Sequence, residues 1–191
     1  MVFRAHEDWI DRLIPAHPDA KIVETLAAAL QIAGYPQTSI NLRSKFKDVG
    51  SDEILHAQLA GLPTRLEELR ISIPTHLDLL WGASFASGDG RHVRKIIEFY
   101  ASTADQSEQV AIDIARVGIA TMGGPQEPLQ GLRAKYGEDF ARQVIYAATA
   151  QWAILSNAKQ HSFVDQAVTK FINERRGTPA AKALGTLRQA R

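Results

Sequence analysis

The sequence predicts an all-α fold: one domain of about nine helices, arranged as antiparallel hairpins around a central apolar helix. Three observations carry this expectation. From Gln143 to Ala158 no residue is charged, and Phe140, Val144, Ala148, Trp152 and Leu155 recur at three- and four-residue steps, the period of one helix face. No segment shows sustained period-two alternation, the signature of a strand. Glycine and proline clusters, among them Gly88-Asp89-Gly90 and Gly123-Gly124-Pro125, break the chain between the apolar runs and mark turns. Both a bundle and an irregular superhelix of hairpins fit this pattern.

The central helix, 138–160, is apolar on its flanking faces too, through Ile145, Ala147, Ala150, Ala153 and Ile154. A helix that is apolar nearly all round is buried on most sides. Thr149, Gln151, Ser156 and Asn157 interrupt it, and a membrane span needs about 20 predominantly apolar residues. No membrane partner is therefore expected.

The other elements follow in order. His6–Ile14 reads as a short helix ended by Pro15 and Pro18. Asp19 is placed to cap a helix over Ala20–Ala33, with Ile22, Leu26 and Leu30 as its stripe and Gly34 at its end. Tyr35–Gly50 has few apolar positions and reads as a connection with one helical turn near Leu42–Phe46. Ser51 caps a helix to Ala60, and Pro63 opens another to about Arg70. Pro74 starts a helix to Ser87, and Arg91–Ser102 forms the second arm of that hairpin, with Val93, Ile96, Ile97 and Tyr100 inward. Gln106–Met122 carries the stripe Val110, Ile114, Val117 and Thr121. A short helix over Pro128–Tyr136 precedes the central one, and Phe163–Arg175 follows it. Thr178 and Pro179 supply a cap and a first-position proline for a last helix.

At 191 residues the chain is long enough for a sizeable core. Its net charge of +1 gives no global argument for nucleic acid. The charge is uneven, however. Lys170–Arg191 holds six basic residues and one acid, net +5; the remaining sixteen basic and twenty acidic residues give residues 1–169 a net −4. Residues 1–177 are read as the helical domain, and residues 178–191 as a basic C-terminal helix or tail. Only Ala181, Leu184 and Leu187 can face inward there, so weak docking is expected. The basic end lacks interleaved aromatics and any reader motif, which argues against nucleic acid. The absence of cysteine excludes disulfides, thiolate metal sites and cysteine nucleophiles. The opening MVFRAHEDWIDRLI has no apolar core region and does not read as a signal peptide, so a cytoplasmic protein is expected.

Few motifs survive inspection. Ser156–Lys159 matches S-x-x-K, but the companion elements of that chemistry are missing. Gly82-Ala83-Ser84-Phe85-Ala86 lacks the last glycine of a nucleophile elbow and sits in a helix. The phosphate-loop, dinucleotide and zinc-helix patterns are absent. The six histidines are nowhere three or four apart, so no helix offers a two-histidine metal face. No catalytic residue, metal site or cofactor is assigned.

One constellation remains. Asn157 and His161 are four apart at the end of the central helix and share a face. Trp152 lies about one and a half turns earlier. Asp89, Arg91 and His92 crowd the hairpin turn that follows Trp81. If the two helix ends meet, Trp81, Asp89, His92, Trp152, Asn157 and His161 would give aromatic walls with convergent polar groups, the anatomy of a ligand pocket. The simpler role for Asn157 and His161 is to satisfy helix-end carbonyls, and for Asp89 to cap the next helix.

Two segments, LDLLWGASFASGDGRHVRKII (Leu77–Ile97) and Ala147–His161, resemble uncharacterised all-helical bacterial proteins. That resemblance implies a bacterial origin and a helical-hairpin fold, and no activity or cofactor. The leading expectation is a non-enzymatic helical interaction module with a protein partner. The alternative is a small-molecule binder or enzyme using a pocket between the 88–92 turn and the C-terminal end of the central helix.

Overall fold

A computed structural model describes residues 18–32, 35–50, 66–88, 90–121, 124 and 127–189. All regular structure among the described residues is helical, as the periodicities require. The chain divides into two compact units, residues 1–70 and 71–191. The division falls between Arg70 and Ile71, not ahead of residue 178 as the glycine and proline there suggested.

In the first unit, helix α1 (Ala20–Ile32) packs on helix α2 (Pro36–Lys45), and single 3-10 turns follow at Lys47–Val49 and Leu66–Glu68. Asp19 caps α1 as expected, its Oδ1 accepting from the Ile22 amide at 2.8 Å. Val23, Ala27, Leu30 and Leu42 form the core, flanked by Leu26, Tyr35 and Phe46. Helix α2 replaces the connection expected at 35–50. Its inward face holds a single buried apolar residue, Leu42, beside Ser39 and Arg43, which is why apolar periodicity misses it. The Ser39 hydroxyl donates to the Ala27 carbonyl at 2.7 Å, and Arg43 donates through Nε and Nη2 to Glu24 Oε2 at 3.1 and 3.0 Å. Ser39 and Glu24 are both buried, and a buried carboxylate needs such a partner. The helices expected at 6–14 and 51–60, the start at Pro63 and the Gly34 stop lie outside the described residues.

The second unit holds helices α3 (Pro74–Ser87), α4 (Gly90–Ala104), α5 (Glu108–Thr121), α6 (Glu127–Gln130), α7 (Leu132–Tyr136), α8 (Glu138–Gln160), α9 (Ser162–Glu174) and α10 (Pro179–Gln189). Gly88 closes α3 in the left-handed region at φ 66°, a conformation open to glycine at little strain. Helix α8 packs against α3, α4, α5, α7, α9 and α10, so the sequence's most apolar run is the central helix of this unit. Of the expected stripe, Val144, Ala148 and Leu155 are buried and Phe140 half-buried, and Trp152 alone turns outward. Val144, Ala147, Ala148, Ala150, Gln151, Ile154 and Leu155 are buried, whereas Trp152 is 38% exposed. The reason is close packing. A Cβ added to Gly118 on α5 would lie 3.7 Å from the Ala148 carbonyl and 3.9 Å from Gln151 Oε1. That seam admits alanine and excludes an indole.

The C-terminal helix is not weakly docked. Ala180, Ala181 and Leu184 are buried in α10, and Tyr100 on α4 donates to the Ala180 carbonyl at 3.4 Å. Asp105 Oδ1 accepts from the Ala180 amide at 2.8 Å. Lys182 pairs with Glu108 at 2.8 Å and Arg188 with Asp165 at 2.7 Å. Small apolar residues bury without long side chains, so an alanine-rich stripe is easily read as sparse. No helix among the described residues is long and apolar enough to cross a membrane.

Candidate functional site

Of the six residues singled out in the sequence, the structure links Trp81 and His161 through a third ring. Trp81 lies inward on α3, with 7% of its surface exposed. One helical turn later, Phe85 stacks on it, ring centroids 5.6 Å apart and planes 17° from parallel. Phe85 in turn meets His161 at 4.8 Å and Phe163 at 6.2 Å, and those two rings are 6.0 Å apart. The result is a four-ring cluster at the end of α3 and the α8–α9 junction. Offset and edge-to-face aromatic pairs of this kind each add about 0.5–1.5 kcal/mol beyond area burial.

Two features set this cluster apart from ordinary core. Phe85 keeps 44% of its surface in solvent. The Trp81 indole Nε1 is buried without a hydrogen-bond partner among the described residues, although such groups are almost always paired. Leaving a donor in that state costs about 1–3 kcal/mol.

The backbone fixes His161. It sits between two helices in an extended conformation, φ −130° and ψ 112°. Its amide donates to the Asn157 carbonyl at 2.9 Å, and its carbonyl accepts from Val164 and Asp165 at 3.0 and 3.1 Å. His161 and Asn157 therefore meet the helix-end role through main-chain atoms, and the half-buried imidazole is left to the ring cluster. His92 is half-buried in the first turn of α4, and Trp152 is exposed on α8. No ring contact among the described residues joins either to the cluster. Asp89 lies outside the described residues. Phe85 and Phe163 were not among the expected site residues. Phe85 shares the i, i+4 face of Trp81 and reads from sequence as core; Phe163 directly follows the break at Ser162 and could have been found from it.

A second polar centre escaped the sequence reading. Asp113 on α5 is buried and accepts from Tyr136 Oη at 2.6 Å, Gln109 Nε2 at 3.0 Å and Lys135 Nζ. Burial alone would raise its pKa, but the hydrogen bonds from Lys135, Tyr136 and Gln109 together outweigh it and hold the carboxyl below the usual range. The same contacts raise the pKa of Lys135, with the Asp113 bond as the main cause. Tyr136 is also raised, by burial first and then by Asp113. The arrangement fixes α7 to α5 as a charged clamp, with none of the three groups tuned toward reactivity near neutral pH. The available signal was Asp113 itself, three residues after Val110 on an inward apolar stripe.

Among the described residues no three His, Asp or Glu side chains gather as a group that could hold a metal ion. Comparison of the chain with protein-family models, with curated proteins and with solved structures gives no match.

Proposed function

We propose that this chain is a non-enzymatic helical binding protein of bacterial type, acting in the cytoplasm, whose protein partner docks on the aromatic end formed by Trp81, Phe85, His161 and Phe163. The observation that carries the reading is the stacking of an exposed Phe85 on Trp81, whose buried Nε1 has no hydrogen-bond partner among the described residues. A partner's apolar side chain extends the ring cluster. Rotation of Phe85 uncovers the indole, and a main-chain carbonyl of the partner then accepts from Nε1. Recognition of a partner segment by apolar anchors plus one directional hydrogen bond is a common interface pattern. Nucleic acid is not the partner we favour, because Lys182 and Arg188 of the basic end already pair with Glu108 and Asp165.

The test is a selection of random peptides on the full chain, with Phe85→Ser as the counter-target. Sequences with an aromatic or large aliphatic anchor are expected to be enriched, and to bind Phe85→Ser at least about tenfold more weakly, a loss of about 1.4 kcal/mol. Phe85 is exposed enough for that variant to fold. Peptides that bind both proteins equally would move the docking surface elsewhere. An affinity for free small molecules in place of peptides, lost in Asn157→Ala/His161→Ala, would favour the pocket reading.

A further inference from the structure

A cavity of about 430 Å³ opens between α5 and the α6–α7 segment, well away in sequence from the aromatic end. Its volume falls at the small end of the range for ligand sites. Val117, Pro128 and Leu132 supply its apolar wall. Among the described residues four charges also line it: Asp113, Lys135, Arg116 and Glu127. The first two are committed to each other in the clamp. Arg116 and Glu127 differ. Both residues are exposed, both line the same cavity, and neither has an ion-pair or hydrogen-bond partner among the described residues. They do not close on each other either. Opposite charges that share a cavity and stay apart leave room for a molecule that bridges them.

We infer that this cavity binds a small zwitterion, an α-amino acid with an apolar side chain. Its carboxylate pairs with the Arg116 guanidinium, whose planar fork suits two-point recognition of a carboxylate. Its ammonium pairs with Glu127, and its side chain lies on Val117, Pro128 and Leu132. The Asp113–Lys135 pair leaves the rest of the described lining electrically neutral, so neither a bare anion nor a bare cation is favoured. The site draws on none of the aromatic residues and stands or falls independently of the docking surface.

The full chain, labelled for NMR, is titrated with L-leucine at millimolar concentration, and separately with isocaproate, which lacks the amino group, and isoamylamine, which lacks the carboxylate. Saturable amide shifts confined to residues 113–117 and 127–135 are expected with leucine. Each analogue, and each of Arg116→Gln and Glu127→Gln, should weaken binding by about tenfold or more. Both substitutions alter exposed side chains, and an unchanged thermal midpoint will show that the fold is kept. Absence of saturable shifts with leucine overturns the inference. Equal binding of either analogue, or full affinity in either variant, overturns it as well.

Discussion

The Gln151 side chain donates to the Tyr100 hydroxyl at 3.0 Å, and both residues are buried. The hydroxyl passes the hydrogen bond on to the Ala180 carbonyl at 3.4 Å. One polar chain thus ties α8 to α4 and α4 to α10 inside the core. Tyr100→Phe should destabilise by about 1–3 kcal/mol, because it strands the Gln151 amide in the interior. Tyr100→Phe/Gln151→Leu should recover much of the Gln151 part of that loss, since both side-chain partners become apolar. Chemical denaturation of the wild type and both variants measures this. A double variant weaker than the sum of its parts would count against the chain of bonds.

Truncation after Gly177 should be severe. It removes the burial of Ala180, Ala181 and Leu184, the acceptor of Tyr100 and the partner of Asp105. Leu184→Ala alone should cost about 2–5 kcal/mol. Thermal unfolding of the truncated chain is expected to lose cooperativity; a midpoint close to wild type would restore the weakly docked end that the sequence suggested.

At Gly118 the close approach of α5 to α8 still leaves ordinary van der Waals room for one methyl group. Gly118→Ala should stabilise by about 0.4–1 kcal/mol through lower unfolded-chain entropy, raising the thermal midpoint by about 1–4 °C at this chain length. Gly118→Leu should destabilise, since the seam has no space for it. A drop in the midpoint with alanine would show that the helices approach more closely than described.

Asp113 gives the stability curve a defined acid limb. Its pKa is lowered on folding because hydrogen bonds outweigh burial, so its contribution is fully present above the unfolded carboxyl value of about 4 and is lost as pH falls through the lower folded value. Tyr100 acts at the other end. Burial raises its pKa in the folded chain, against the Gln151 hydrogen bond, so above about pH 10 only the unfolded state readily releases the proton and stability falls. Denaturation midpoints against pH should show Asp113→Asn with a shallower acid limb and Tyr100→Phe with a shallower alkaline one. Identical limbs in the variants would remove both assignments.

What the sequence made legible tracks the kind of interaction that holds each element. Helix α8 was visible because apolar burial leaves a 3.6-residue signature, and Asp19 and Thr178 were visible because caps are local. Helix α2 was hidden because Ser39 and Arg43 hold it by polar bonds to Ala27 and Glu24, pairings that periodicity does not encode. Trp152 was misplaced for a related reason: in a helix apolar on all sides, packing against Gly118 decides which face turns inward, and the partner glycine lies 33 residues earlier than Gln151. At the candidate site, the link between Trp81 and His161 was within reach, but Phe85 between them looks from its spacing like another core residue.

The indole Nε1–H resonance of Trp81, followed by NMR while a selected peptide is added, tests the docking account most directly; Trp9→Phe and Trp152→Phe assign the signals of the other two indoles. The account predicts that the Trp81 N–H moves downfield on saturation, as an unpartnered donor gains an acceptor, and that Phe85→Ser abolishes the change. A Trp81 signal that stays fixed while the peptide binds would contradict it.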